Sequence, residues 1–197
     1  MINLEPEVID QAQKVDAGAF TQVVEAYQRP VFNLCYRMLG DPEDAEDAAQ
    51  ETFLKAYDHL RRYDQQRSFS TWLLSIAAHH CIDQLRKRRI TFLSMDTFPD
   101  LDIPDANPGP EAAFHRHEDQ QRIQDLLTSL SPQDRAAVVM YYWYDFSYEE
   151  IAESLKLTVS AVKSRLHRAR LSLAQAWTEQ EAKKYSAERR RHESPAL

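Results

Sequence analysis

Phe20, Val23, Val24, Tyr27, Val31, Leu34 and Cys35 recur at steps of three and four residues, a spacing that gathers them on one face only if the backbone is helical. The same step returns in Leu73, Ile76, Ala77, Cys81 and Leu85, and again in Val162, Leu166, Ala169 and Leu173. Strands have little to work with. Only three glycines (Gly18, Gly40, Gly109) occur in 197 residues, and hairpin turns depend on them. Long stretches are rich in Ala, Leu, Glu, Gln, Lys and Arg, which favour helix. The chain therefore reads as all-α.

Capping residues and prolines divide these helices into two sets. Asp16 suits the N-cap of the first stripe. In "LGDPED", Gly40 fits a helix end and Pro42 the first turn of the next helix. The carboxylates that crowd "DPEDAEDAAQETFLKAYDHL" then lie where the helix dipole favours them. Pro99, Pro104, Pro108 and Pro110, interspersed with Asp96, Asp100, Asp102 and Asp105, read as an extended linker. Ser131 and Pro132 open a further helix in the second set. The expected architecture is two small helical domains joined by a flexible linker, the C-terminal one a helix-turn-helix. The expected boundaries are 12–92, linker 93–118, 119–178, and a charged tail 179–197 that is a frayed helix or disordered.

Charge sharpens the reading. The net charge is −7, yet it is unevenly spread. Residues 1–60 hold twelve acidic residues against four Lys and Arg, whereas no acid occurs between Lys156 and Leu173. "RKRR" at 86–89 is a second basic run. Such a chain can meet nucleic acid with one face and a protein with another. Ser147 and Glu150 form a capping-box pattern that starts a short helix with Ile151, Ala152 and Leu155 inward. A tight turn at Lys156 and Leu157 follows, then Thr158 as N-cap of a basic helix. Two short helices, a tight turn and a basic second helix make a helix-turn-helix. Ser160, Ala161, Lys163, Ser164 and Arg165 are candidates for base edges, and Arg168 for phosphate.

The segment from Arg61 to Arg89 combines aromatic and basic side chains: Tyr63, Phe69 and Trp72 lie close in sequence to Arg61, Arg62 and Arg67. Aromatic faces stack on unpaired bases while cations follow the backbone, which is the chemistry of single-strand capture. Phe69 and Trp72 are equally at home in a helical core, whereas Tyr63 in a polar loop fits a core less well. His79, His80 and Cys81 are not a metal set, because neighbouring residues on a helix point about 100° apart and no fourth ligand is near. No glycine-rich phosphate loop, GxSxG or nucleophile pair is present, so no catalytic residue, metal or cofactor is expected. Cys35 and Cys81 lack metal-site spacing and read as reduced core thiols. No apolar run of about eighteen residues occurs, so no membrane insertion is expected. "MINLEPEVIDQAQ" lacks the pattern of a signal peptide, and the reduced cysteines fit a cytoplasmic protein.

In this order, "DAEDAAQETFLKAY" (44–57), "FSTWLLSIAAHHCIDQLRKRR" (69–89) and "LSPQDRAAVVMYYWYDFSYEEIAESLKLTVSAVKSRLHRARLSL" (130–173) resemble the extracytoplasmic-function group of bacterial sigma factors, in the sigma-70 family. The resemblance implies a non-enzymatic subunit that binds core RNA polymerase and directs promoter-specific initiation. Asp44, Asp47, Gln50 and Glu51 would dock on the clamp coiled coil of the β′ subunit. Arg61, Arg62, Tyr63, Phe69, Trp72, His79, Asp83, Arg86 and Lys87 would melt and read the minus-10 element. Ser160, Ala161, Lys163, Ser164, Arg165, His167 and Arg168 would read the minus-35 element, with that domain resting on the β flap. It further implies an anti-sigma partner. Four positions depart from the family pattern: His79 stands where Asn is frequent, Ser160-Ala161 replaces Gly-Thr, and Lys156 takes the turn glycine's place. A response-regulator type of transcription factor would carry a similar reading helix. Its receiver domain, however, needs alternating strands and an acidic pocket, which the N-terminal half lacks. A nucleic-acid enzyme targeted by a helix-turn-helix would need a metal or nucleophile constellation.

Overall fold

The computed structural model describes residues 4–14, 16–94 and 111–193, with side chains at 4–14, 16–90 and 120–182. Among the described residues the secondary structure is helical: α1 Pro6–Gln13, α2 Ala17–Leu39, α3 Pro42–His59, a 3-10 turn Leu60–Arg62, α4 Phe69–Ser94, α5 Glu111–Thr128, α6 Pro132–Tyr144, α7 Tyr148–Leu155 and α8 Val159–Glu193. Of these, α1 lies ahead of the first predicted stripe. The Pro- and Asp-rich segment 95–110 lies outside the described residues. α5 begins at Glu111, ahead of the expected boundary at 119.

Local chemistry sets the helix ends. Asp16 Oδ1 accepts from the Ala19 N–H at 2.8 Å, and Asp41 Oδ1 from the Asp44 N–H at 2.9 Å. Pro42 and Pro132 occupy first turns, where a missing N–H costs nothing. Pro30 lies inside α2 and removes one ladder bond there, yet the helix continues because its apolar stripe is fully packed. Val23, Tyr27, Val31, Leu34, Cys35 and Met38 form that buried stripe. Gly40 ends α2 at φ 87°, a left-handed conformation that an L side chain adopts at a cost of about 1–2 kcal/mol. A Cβ at this position would lie 3.3 Å from the amide nitrogen of Gln124. Gly40→Ala is expected to lower the unfolding free energy by about 1–2 kcal/mol, seen as an earlier urea midpoint with an unchanged slope.

α2, α3 and α4 pack on one another, with α1 against α2, while α6, α7 and α8 form the second set, joined by α5. The sequence leads one to expect separate interiors. Instead, the buried residues run as one cluster from α2 and α4 into α6 and α7. Polar groups cross the same boundary. Gln124 Nε2 donates to the carbonyls of Tyr36 and Arg37, both at 3.2 Å, and buried Arg135 donates to the Met38 carbonyl. Two of the carbonyls left open at the end of α2, those of Arg37 and Met38, thereby gain donors from the other half, and the Tyr36 carbonyl, already bonded to the Gly40 N–H, gains a second. Burial pushes the Arg135 guanidinium down to about 10, still charged at neutral pH.

The backbone of α8 stays helical to Glu193, through most of the segment expected to be a frayed helix or disordered. Arg122 of α5 anchors it as far as Glu181. Its guanidinium lies 3.5 Å from the Trp177 ring centroid and pairs with Glu181.

Candidate nucleic-acid interface

The helix-turn-helix forms as its sequence dictates. Ser147 Oγ accepts from the Glu150 N–H at 3.1 Å, and a Glu150 carboxylate oxygen accepts from the Ser147 N–H at 2.8 Å, completing the capping box. Lys156 takes the left-handed conformation, φ 54°, as a glycine would. The Leu157 N–H reaches back to the Ala152 carbonyl at 2.8 Å and closes α7. Thr158 Oγ1 then accepts from the Ala161 N–H at 3.1 Å and starts α8. Val162, Leu166 and Ala169 are buried, as is Ala152 where α7 approaches α8.

That burial decides what α8 presents. Ser160, Ser164, His167 and Arg168 are exposed at helical spacing on one outward face, and Ala161 is half-buried beside them. Lys163 is exposed at the flank, its Nζ 5.5 Å from the Tyr148 ring centroid. Arg165, expected to reach base edges, does not share that outward face. It turns inward and donates to Asp134 at 2.8 Å and Gln133 at 2.8 Å, both on α6. In this structure the guanidinium is held by a carboxylate and an amide, bonds stronger than those between neutral groups.

The α4 surface differs more from expectation. Tyr63 and Phe69 are only 7% and 6% exposed, and with half-buried Trp72 they form a mutual ring cluster with centroids 4.9–5.4 Å apart. Tyr63 Oη donates to the Arg67 carbonyl, and burial, with Asp64 second, pushes its phenol above the ordinary value. Gln13 of α1 pins the same loop, donating to the carbonyls of Leu60 at 3.0 Å and Tyr63 at 2.8 Å. Tyr63 and Phe69 are thus core groups in this conformation, because a loop flanked by α1 and α2 buries its largest apolar faces. Arg61, Arg62, Asp83, Arg86 and Lys87 are exposed. His79 is half-buried, with its Nδ1 2.9 Å from the Ser75 carbonyl, which leaves Nε2 to face outward contacts. Next to it, His80 accepts from Lys55 at 2.7 Å, and burial followed by Lys55 lowers its pKa. A cleft of about 510 Å³ joins Trp72, His79 and Asp83 of α4 to Glu150 and Glu153 of α7.

On α3, Asp47, Gln50 and Glu51 share one exposed face. Asp44 stands apart, paired with Arg88 of α4. Leu54, 62% exposed, continues the Asp47 face four residues beyond Gln50, and sequence reasoning passed it over. Its signal is an apolar side chain in register with a polar stripe. No group of three or more His, Cys, Asp or Glu that could hold a metal ion occurs among the described residues. Nor does any described helix have the length and apolarity to cross a membrane.

Residues 23–90 match the family described as Sigma-70 region 2, and residues 120–173 match Sigma-70, region 4. The ECF RNA polymerase sigma factor SigW of Bacillus subtilis is 36% identical over 177 residues, covering 84% of this chain and 92% of that protein. The ECF RNA polymerase sigma factor SigE of Mycolicibacterium smegmatis is 35% identical over 157 residues, 79% of this chain and 60% of that one. In fold, the chain is similar to the sigma factor RpoE solved in complex with the anti-sigma factor NepR from Bartonella quintana. That likeness has a TM-score of 0.63 at 24% identity and covers 81% of this chain and 96% of the other.

Proposed function

The chain belongs to the extracytoplasmic-function sigma factors of the sigma-70 family, and from that membership we propose that it binds core RNA polymerase and directs initiation at particular promoters. Residues 12–92 engage the polymerase and the minus-10 element, and residues 119–178 engage the minus-35 element. The outward face of α8 carries the reading: an acid-free helix whose inner stripe is fully buried leaves Ser160, Ser164, His167 and Arg168 together at the surface. Arg168 and Lys163 meet phosphates, while Ser160, Ala161 and Ser164 lie nearer the helix start, where base edges are read. On α4, the outward candidates are Arg61, Arg62, Arg86 and Lys87 for the backbone, with Trp72 and His79 for bases. Asp47, Gln50 and Glu51 meet a basic surface on the β′ clamp, and Leu54 supplies an apolar centre to that contact. The polymerase performs the chemistry; this subunit supplies promoter choice in the cytoplasm. An anti-sigma protein is the natural restraint, as NepR is a partner of RpoE.

Mixing the chain with core polymerase on a promoter fragment is the decisive assay. Promoter-dependent transcripts are the expected result, and DNA binding without core but no initiation would instead identify a conventional regulator. Asp47→Lys is expected to weaken core binding about tenfold or more while shifting stability by no more than about 0.5 kcal/mol, as for other exposed positions. Unfolding of that variant would remove the docking role.

A further inference from the structure

We propose that Gln13 of α1 is a positioning residue for minus-10 capture, acting through the loop 63–68, whose path it fixes, without touching DNA itself; this rests on the sigma reading above. It extends that reading to a helix outside the region 2 match, which begins at residue 23.

The loop joins the 3-10 turn, which ends at Arg62, to α4, which begins at Phe69. It therefore sets the spacing between the exposed cations Arg61 and Arg62 and the half-buried ring of Trp72. Its two ends are fixed locally. The Tyr63 N–H closes the 3-10 turn on the Leu60 carbonyl at 3.0 Å, and the Trp72 N–H bonds to the Ser68 carbonyl at 3.0 Å. Between them Asp64 serves near neighbours: its carbonyl accepts from the Arg67 N–H at 3.1 Å and its side chain from the Gln66 N–H at 3.0 Å. Arg67 also pairs with Glu153 of α7 at 2.5 Å, but both side chains are more than half exposed, so water exchanges readily for that contact. Bonds within a turn give it shape. They do not orient it on the rest of the protein.

Gln13 supplies the orientation. Its Nε2 donates to the carbonyls of Leu60 at 3.0 Å and Tyr63 at 2.8 Å, and its Oε1 accepts from Gln65 Nε2 at 2.6 Å. One amide thus uses both donors and an acceptor lone pair on a single stretch of chain. The Leu60 and Tyr63 carbonyls bracket the 3-10 turn, so holding both fixes the direction in which the backbone leaves it. α1 gives the amide a firm base. Ala12 is buried, Val8 and Ile9 pack half-buried against the core, and the helix lies on α2. An apolar side chain at position 13 would fill the same space without directing either carbonyl.

A strand that meets a loop already in place loses none of its binding energy to ordering it. When only a fraction of molecules hold the loop correctly, the apparent dissociation constant rises by the inverse of that fraction. The bound state itself is unchanged. Weaker capture with a normal endpoint is therefore the mark of positioning, and a reduced endpoint the mark of a damaged fold.

Two probes come from the promoter fragment above: its minus-10 single strand, labelled with 2-aminopurine, and its minus-35 duplex. With core polymerase bound, Gln13→Ala is expected to weaken single-strand binding about fivefold or more. Gln13→Glu, the same shape without a donor at neutral pH, and Gln13→Met, the same length but apolar, are expected to do likewise. The fluorescence change at saturation, the duplex affinity and the core affinity should match the parent in all three. Amide exchange in residues 63–68 should quicken, while that of α2 and α4 stays slow. Parent-like capture by Gln13→Met would overturn the proposal, because bulk alone would then suffice. So would an equal loss of duplex binding, or a lower saturation signal, in all three variants. Should the parent capture no single strand, the minus-10 reading of α4 fails and this role of Gln13 with it; equal capture by the parent and Gln13→Ala removes the role of Gln13 alone.

Discussion

Tyr63→Ala is expected to cost about 3–5 kcal/mol of folding free energy, the range for emptying a large aromatic from a packed core. Its ring lies in contact with both Phe69 and Trp72, and Phe69 in turn stacks edge-on against Tyr27 of α2. Removing Tyr63 opens a void at the junction of the loop with α1, α2 and α4, where the surrounding helices have little freedom to collapse. Tyr63→Phe keeps the ring and loses only the hydrogen bond to the Arg67 carbonyl, so about 1 kcal/mol is expected. Urea unfolding of the two variants gives the comparison. A Tyr63→Ala protein as stable as its parent would return this residue to the role its sequence context first implies, an exposed platform for an unpaired base.

Tyr63 also marks the limit of what the sequence makes legible. Helices α2, α3, α6, α7 and α8 follow from apolar spacing, from caps at Asp16, Ser131, Ser147 and Thr158, and from Gly40 and Pro42 between α2 and α3, because these are local interactions written within a few residues. The outward face of α8 follows from the same logic, as it is what remains once Val162, Leu166 and Ala169 are buried. Tyr63 in "RRYDQQRSFS" has no periodic neighbours, and its burial depends on Gln13, fifty residues away, holding the loop by two carbonyls. Arg165 is similar: its partner Asp134 lies on another helix, and no local pattern joins them. Lys156 shows the converse. A non-glycine residue in the left-handed turn leaves the motif intact, because the capping box and the Ala152 carbonyl bond determine where α7 begins and ends. Least legible of all is the packing of one half on the other, which depends on side chains such as Gln124, Arg135 and Glu153 meeting groups far away in the chain.

Two arginines of α8, Arg165 and Arg168, are expected to separate the charge that meets DNA from the charge that holds the fold. Arg168 is exposed on the outward face, so Arg168→Ala is expected to weaken minus-35 binding about tenfold at low salt, nearly evenly across sequences. One fewer phosphate contact releases one fewer counterion, and the slope of log affinity against log salt should become shallower by about 0.9. Arg165→Ala removes instead the bonds to Asp134 and Gln133, which tie the reading helix to α6. Its cost appears as about 1–3 kcal/mol of stability, the value of hydrogen bonds to a charged partner, with the salt slope unchanged. Titrating one promoter duplex at several salt concentrations, together with urea melts of both variants, distinguishes these roles. If Arg165→Ala flattens the slope as much as Arg168→Ala does, the ion pair to α6 opens on binding and the two arginines act together on the backbone. If neither does, the face of α8 turned toward DNA is a different one.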